Sequence, residues 1–568
     1  MPPLPDEVAT TSDPEHAIDS GRTSALAGAG IFLSRIFGLV REIAINGFLG
    51  AGGVADAFRA ATRIPNLLQN LLGEGTLSAA FIPVYSKLVA EGDEEQAGRL
   101  AGAVFGLLAV LSGILVVVGV TMADQLTTLV AWGLPPDTRD LTVSLVQITT
   151  VGVGFLVLSA WCLGVLNTHR RFFLSYVAPV VWNCAQIAAM VAVFAATRGE
   201  PAGERTEAIA VGLAWGMTIG GLLQFVIQLP TVVRVSGRIR PSLDVRHPAV
   251  KRVLTRFGPA VVGRGAVAIS SYLELVLASF LAAGGLALLT SAQALYLLPI
   301  GLFALSVSAA ELPELSRSDP EEFQGRLTKA LSRMQFFVLF TLVVYLCGGR
   351  MIVELLFQRG QFTAEDTVAI WAILAAYCLG LLAVTSSRLV QSTLFALGDT
   401  KGPAMIVIVR DVVGGVLAVA LMFQFDRLVV TPTGIEGWNL LPAPIEPLPD
   451  AVRDLDGPPH LGAVGIALAA SVGNWIEYGL LRLRMHRHHL GAEVPRLAPV
   501  LLRLALPATA AAAIAACGTA LGGTVSVWLV GPVALGLAGV AYVLLAKARG
   551  NPQAEGLVAA ARRRVPHR

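Results

Sequence analysis

The sequence predicts an all-α polytopic membrane protein, and three observations predict it. Of 568 residues, 55% are hydrophobic and only 14% are charged, too few solvated groups to cover a water-soluble surface. Windows of about 20 apolar residues, the length that crosses a hydrocarbon layer, recur from residue 24 almost to the C-terminus. The connections between those windows alternate in charge, as in a chain threaded back and forth across a bilayer.

The windows give about fourteen spans, at 24–50, 56–90, 99–122, 141–166, 173–196, 207–233, 254–283, 288–312, 330–348, 367–396, 403–424, 461–481, 501–521 and 525–546. Basic connections hold His169 to Arg171, Arg234 to Arg256, Arg317 to Arg333, Lys401, Arg482 to Arg503 and Arg562 to Arg564. Each follows an even-numbered span or opens an odd-numbered one. The others, such as 50–53, 124–140, 199–207, 282–285 and 425–460, are rich in Gly, Pro or acid. Translocation of Lys and Arg is disfavoured, so the basic side is expected to be cytoplasmic, with both termini on it.

Residues 1–22 are polar and lack the basic start and short apolar core of a cleaved signal, so they are expected as a disordered cytoplasmic tail. Segment 425–460 has seven prolines and few large apolar residues, and it is not expected to fold as a separate domain. Its Asp454-Leu455-Asp456 has the spacing of a glycosyltransferase metal motif, but a lone D-x-D in an acidic loop carries little information. The five cysteines stand singly, without a C-x-x-C pair, and read as small buried apolar residues. No basic domain stands apart from the spans, which argues against a nucleic-acid partner. No Walker A motif is present, which argues against direct ATP hydrolysis.

Ionisable groups inside spans cost roughly 2.5–3.5 kcal/mol each on insertion scales, so their presence calls for a reason. They concentrate in the first two spans. The first contains Ser34, Arg35, Gly38, Arg41 and Glu42; the second contains Asp56, Arg59, Arg63, Pro65 and Asn66, followed by Gln69, Asn70 and Glu74. Asp56, Arg59 and Arg63 stand at i, i+3 and i+7 and share a helical face, as do Arg35 and Glu42 seven apart. Such a face must meet a wet cavity or a counter-charge, and Gly38 and Pro65-Asn66 are where these helices are expected to bend. Several guanidinium groups around a cavity suit a phosphate or pyrophosphate; internal Arg–carboxylate pairs that merely join helices are the alternative. Later spans hold Arg264, Glu274, Glu311, Arg410, Asp411 and Glu477, for which both readings stand. Neighbours on a helix diverge by about 100 degrees, so Arg410 and Asp411 are not automatically a pair.

The same residues carry a resemblance. Ser34-Arg35-x-x-Gly38-x-x-Arg41-Glu42, Asp56-Ala57-Phe58, Arg63-Ile64-Pro65-Asn66-Leu67-Leu68, Gly73-Glu74-Gly75 and Ala79-Ala80-Phe81-Ile82-Pro83 resemble the N-terminal signature of the MurJ (MviN) family. Further similar segments are Leu166-Asn167-Thr168-His169, Ala178-Pro179-Val180 with Asn183, Leu356-Phe357-Gln358-Arg359-Gly360, and Ala396-Leu397-Gly398-Asp399-Thr400-Lys401, so the match spans roughly residues 24–480. The resemblance implies a fold of the multidrug/oligosaccharidyl-lipid/polysaccharide (MOP) exporter superfamily, with two six-helix lobes around a central cavity and two C-terminal helices forming a lipid-facing groove. The corresponding regions are an N-lobe at 23–240, a C-lobe at 241–485, the groove helices at 486–550 and a basic cytoplasmic tail at 551–568.

It further implies a flippase, not an enzyme, of the bacterial inner membrane. The implied substrate is lipid II, and the peptidoglycan-synthesis machinery is a candidate partner. Arg35 and Arg41 match the family's cavity arginines, Asp56 and Glu74 its acidic positions, and Arg63 a position that is commonly basic. Arg59 and Asn66 join them as expected substrate contacts, and Ser34 and Glu42 join the acids as expected gating or ion-coupling groups. Two positions depart from the pattern. Gln69 stands where many members are basic, and Gln293-Ala294 stands where many carry Asp-Arg, which leaves Arg264 as the candidate replacement charge. No cofactor is expected; coupling to membrane potential, Na⁺ or H⁺ remains open. Competing readings are an exporter of another lipid-linked oligosaccharide or of drugs, a membrane-embedded polyprenyl glycosyltransferase, and an envelope scaffold.

Overall fold

A computed structural model describes residues 14–237, 239–305, 307–308, 320–399, 401–488, 494, 497–523 and 525–564. The chain is almost wholly helical and divides into two compact units. The first comprises Met1–Ala44, Ala61–Leu129 and Asp140–Ile269; the second comprises Ile45–Ala60, Val130–Arg139 and Ser270–Arg568. Helices α1 (Pro14–Leu49), α2 (Gly53–Leu72) and α10 (Pro248–Ala278) each contribute residues to both units. The residues at 14–22, expected as tail, are helical from Pro14 onward.

In the first unit, α2 is followed by α3 (Glu74–Ala80) and α4 (Ile82–Ala90), so the single span expected at 56–90 is broken twice. The first break falls at Gly73, where a Cβ would lie 2.2 Å from the Gln69 carbonyl oxygen. The second falls at Phe81, just before Pro83, which lacks an N–H and therefore fits the first turn of a new helix. The unit continues with α5 (Glu94–Thr121), α6 (Ala123–Val130), α7 (Pro136–Thr168), α8 (Phe172–Ala196) and α9 (Ala202–Val235). Asp93 caps α5 by accepting from the Gln96 N–H. Trp161, Phe81, Tyr85, Leu100 and Leu166 are fully buried at its centre, and the Trp161 indole N–H donates to the Ala101 carbonyl.

The second unit holds α11 (Gly285–Pro299), which runs on into a π-helical turn at Ile300–Leu305, then α12 (Pro320–Phe357). α13 (Ala364–Cys378) and α14 (Leu381–Ala396) are two halves bent by 45° at a short break, where a single straight span had been expected. Thr363 opens α13 with a capping box shared with Asp366. α15 (Lys401–Phe425) is followed by the Pro-rich segment 425–460, which was not expected to fold as a separate domain and lies within the second unit. It forms a small hairpin of β1 (Val429–Thr431) and β2 (Gly434–Glu436), a 3₁₀ turn at Trp438–Leu440 and a short α16 (Asp450–Arg453). Its Arg453 carbonyl accepts from the Ala283 N–H.

The chain ends with α17 (Gly462–His488), α18 (Leu497–Gly522), α19 (Val527–Ala548) and α20 (Pro552–Arg564). The alanine-rich face of α18 closes on its neighbours: Gly348 of α12 abuts Ala515, and Ala534 of α19 abuts Gly518.

Among the described residues, ten helices are long and apolar enough to cross a membrane, or eleven with the bent pair α13–α14. The expected count of fourteen is therefore not confirmed. The expected spans outside that set coincide with α1, α2 and α10, and α2 alone carries Asp56, Arg59 and Arg63 within 20 residues.

Candidate functional site

The first unit builds its site around Arg41. Apolar residues carry α1 through this region, and the side chain leaves the helix toward α8. There the Nη1 group donates to Asn183 Oδ1 at 3.1 Å, and Nη2 donates to Glu42 Oε1 at 3.0 Å. The guanidinium carbon lies 5.0 Å from the centre of the Trp182 ring. Arg41 and Glu42 retain only 19% and 16% side-chain exposure, and the Nε of Arg41 is buried with no hydrogen-bond partner among the described residues. A guanidinium has five N–H donors, so three of Arg41's are uncommitted.

Helical projection put Glu42 and Arg35 on one face. In the structure Glu42 turns to its sequence neighbour Arg41, because side chains this long bridge the 100-degree divergence. Arg35 is exposed, Ser34 and Arg63 are half-buried and Asn66 is exposed. α1 is helical through Gly38 and α2 through Pro65; the break in helix falls at Gly73. Glu74 opens α3 and Arg264 belongs to α10, but the side chains of both lie outside the described residues. Arg264 falls within the first unit.

Asp56 and Arg59, although on the same helix as Arg63, belong to the second unit. Asp56 is a helix cap: its two oxygens accept from the Gly284 N–H at 2.8 Å and the Ala287 N–H at 2.7 Å, at the start of α11. Gly284 takes a left-handed φ of +87° with its Cα pressed toward the Ala51 carbonyl, a conformation and a clearance that only glycine supplies. The N–H groups that begin a helix lack internal partners, and a carboxylate satisfies them with favourable charge. Arg59 is 8% exposed and donates to Asn46 Oδ1 at 3.2 Å, an oxygen that also accepts from Ser291 Oγ. At the start of α2, Asp456 accepts from the Gly53 N–H at 2.8 Å, so this half of the D-x-D caps a helix.

Three features of the second unit escaped sequence reasoning. Arg410, Asp411 and Glu477 form one cluster: Nε and Nη2 of Arg410 donate to Asp411 Oδ1 at 2.9 and 2.6 Å, and Nη1 donates to Glu477 Oε2 at 3.1 Å. Glu477 is 1% exposed and also accepts from Gln391 Nε2. Gln293, at the departing eighth-span position, donates to Glu274 at 2.7 Å and to the Tyr377 hydroxyl at 3.0 Å, while Tyr377 stacks on Tyr296. Arg388, a half-buried arginine of α14, was visible as a charge inside an apolar window. Asn183 was visible as part of a family-like segment and Trp182 only as a polar atom within a span.

The helical architecture is similar to that of solved membrane transporters. A solved structure described as the inward-facing conformation of a multidrug resistance MATE family transporter of the MOP superfamily is 16% identical, with a TM-score of 0.59 over 80% of this chain and 94% of that one. Another, described as lipid II flippase MurJ in an inward closed conformation, is 21% identical, with a TM-score of 0.71 over 94% of this chain and 100% of that one. The sequence model of the family described as lipid II flippase MurJ matches residues 45–431. A probable lipid II flippase MurJ of Bdellovibrio bacteriovorus is 32% identical over 414 residues, covering 71% of this chain and 77% of the relative. The chain belongs to the MurJ lipid II flippase family.

Proposed function

We infer that this chain carries lipid II, the undecaprenyl-pyrophosphate-linked peptidoglycan precursor, from the cytoplasmic to the periplasmic leaflet of the bacterial inner membrane. Family membership supports the substrate. The observation that carries the chemistry is Arg41: a guanidinium inside an apolar bundle, held by an amide, one carboxylate and a ring face, with an N–H on each Nη left for the oxygens of a diphosphate. Arg35, Arg63 and Asn66, of the same unit, complete the substrate contacts. The headgroup crosses by alternating access, while the prenyl tail stays in lipid along the C-terminal helices 486–550.

The alternation of basic and Gly/Pro-rich connections supports cytoplasmic termini. With the interior negative, outward movement of an anion is favoured by roughly 2.3 kcal/mol per charge per 100 mV. Reset of the empty carrier then runs on the potential alone or on inward Na⁺ or H⁺, with Glu74 as the exchanging acid. Asp56, whose oxygens hold the start of α11, acts in gating together with Glu42 and Ser34. The peptidoglycan-synthesis machinery is the partner class this reading implies.

The test is depletion in the native host followed by determining which leaflet holds the accumulated lipid II. Inner-leaflet accumulation, reversed by the wild-type gene and not by Arg41→Ala, is expected. Unchanged lipid II distribution, with accumulation of another lipid-linked oligosaccharide, would reassign the cargo. In the same assay Arg264→Ala and Arg388→Ala identify which later-span arginine serves where the family's eighth-span charge is missing.

A further inference from the structure

The donors of Arg41 are useful only if the guanidinium is held in place without consuming them. A carboxylate pair on both edges would hold it but would occupy its in-plane N–H groups and cancel its charge. An aromatic face attracts the cation from above the plane and leaves every in-plane donor free.

Trp182 supplies such a face, and it is itself fixed. Its indole N–H donates to the Met217 carbonyl of α9 at 3.1 Å, which sets the tilt of the ring. Gly220, one turn further along α9, clears the space for it, since a Cβ there would lie 3.0 Å from both Cδ1 and the carbonyl oxygen of Trp182. Beside the ring, Asn183 is 4% exposed and takes one Nη1 proton. All of these residues belong to the first unit.

We propose that Trp182, seated on α9 by Met217 and Gly220, is a positioning residue that holds the Arg41 guanidinium flat so that its uncommitted Nη N–H groups meet a substrate diphosphate. This rests on the flippase reading and adds to it a residue that does not touch substrate. Its signature is a change in half-saturating lipid II concentration at nearly constant maximal rate, because ring loss disorders the binding group without removing it.

The experiment is reconstituted flipping over a range of lipid II concentrations, with thermal stability measured on the same preparations. Trp182→Met, which keeps bulk and loses the ring face, is expected to raise the half-saturating concentration about tenfold. Trp182→Phe, which keeps a ring, is expected to stay within about threefold of wild type. Should Trp182→Met fail to fold, fluorinated tryptophans placed at 182 preserve shape while weakening the ring face. Stepwise weakening of half-saturation with each fluorine supports the proposal, and a flat series overturns it. Equal damage from the Phe and Met variants, tracking an equal loss of stability, also overturns it in favour of a packing role. If Arg41→Ala transports normally, the flippase site itself is wrong; if Arg41→Ala is dead while Trp182→Met is normal, only the positioning role is.

Discussion

Arg41 and Arg410 present the same local pattern, an arginine inside a helix followed directly by an acid, and their surroundings make different objects of them. Each pairs with its neighbour, Arg41 with Glu42 and Arg410 with Asp411. The difference is the third partner. Arg41 meets an amide oxygen and a ring face, so the group is formally neutral and keeps open donors. Arg410 meets a second carboxylate, Glu477, so every nitrogen of its guanidinium is engaged and the cluster carries excess negative charge. One arrangement leaves guanidinium N–H groups without partners among the described residues; the other uses every nitrogen and joins α15 to α17. An intramembrane arginine is therefore informative about function only once its cross-helix partner is known.

The comparison predicts opposite phenotypes. Arg41→Ala should abolish flipping, at least about a hundredfold in reconstituted vesicles, with a stability loss of only about 1–3 kcal/mol, because it strands the Asn183 amide oxygen but no fully buried carboxylate. Arg410→Ala leaves Glu477 buried without its cation, an arrangement that costs about 3–5 kcal/mol. It should show as loss of folded protein in detergent, and Arg410→Met with Glu477→Met should recover much of it. A dead but fully stable Arg410→Ala protein would break the contrast.

How much of this was legible in the sequence follows the range of the interactions. The helical architecture and the charged faces of the first two spans rest on local composition and periodicity, which a single chain displays. The break at Gly73 had a local signal too, Gly73-Glu74-Gly75, and so did the one before Pro83; the apolar average across 56–90 concealed both. The partners were hidden by distance along the chain. Asn183 lies 142 residues from Arg41, Glu477 lies 67 from Arg410, and Asp456 lies 403 from Gly53. Helical projection finds partners at i+3 and i+4 and is blind to these. Asp56 illustrates the same limit: its face on α2 was read correctly, yet its oxygens serve the backbone of another helix.

The acids of the second unit sharpen the comparison, since Asp56 and Asp426 both accept backbone N–H groups there. Asp56→Ala leaves the Gly284 and Ala287 N–H groups buried without partners, a cost of about 1–3 kcal/mol. Hydrogen exchange should accelerate at residues 284–288 while the first unit stays protected. Unchanged exchange there would remove Asp56 from the gating role.

Asp426, just beyond the end of α15, gives the smallest effect and a defined pH dependence. Its carboxylate accepts from the Ala282 N–H at 3.2 Å, and burial pushes its pKa up to about 7 against the opposing pull of that bond, Arg427 and Arg453. The folded state thus prefers the protonated acid. The stability it contributes is complete below the ordinary carboxylate range and is lost as pH rises through about 7. His460, whose ring lies 2.7 Å from the Asp426 carbonyl oxygen, works the other way. Burial holds its pKa below the usual imidazole value, so its contribution is lost as pH falls. Hydrogen exchange across 426–461, corrected for intrinsic rates, should therefore show protection falling from about pH 4 to about pH 7 in the wild type. In Asp426→Asn that slope should vanish and leave only the opposite, acid-side slope of His460. A wild-type profile that is flat over this range, or one that Asp426→Asn does not alter, would mean that the carboxylate is ionised in the fold and that its N–H partner and the two arginines outweigh burial.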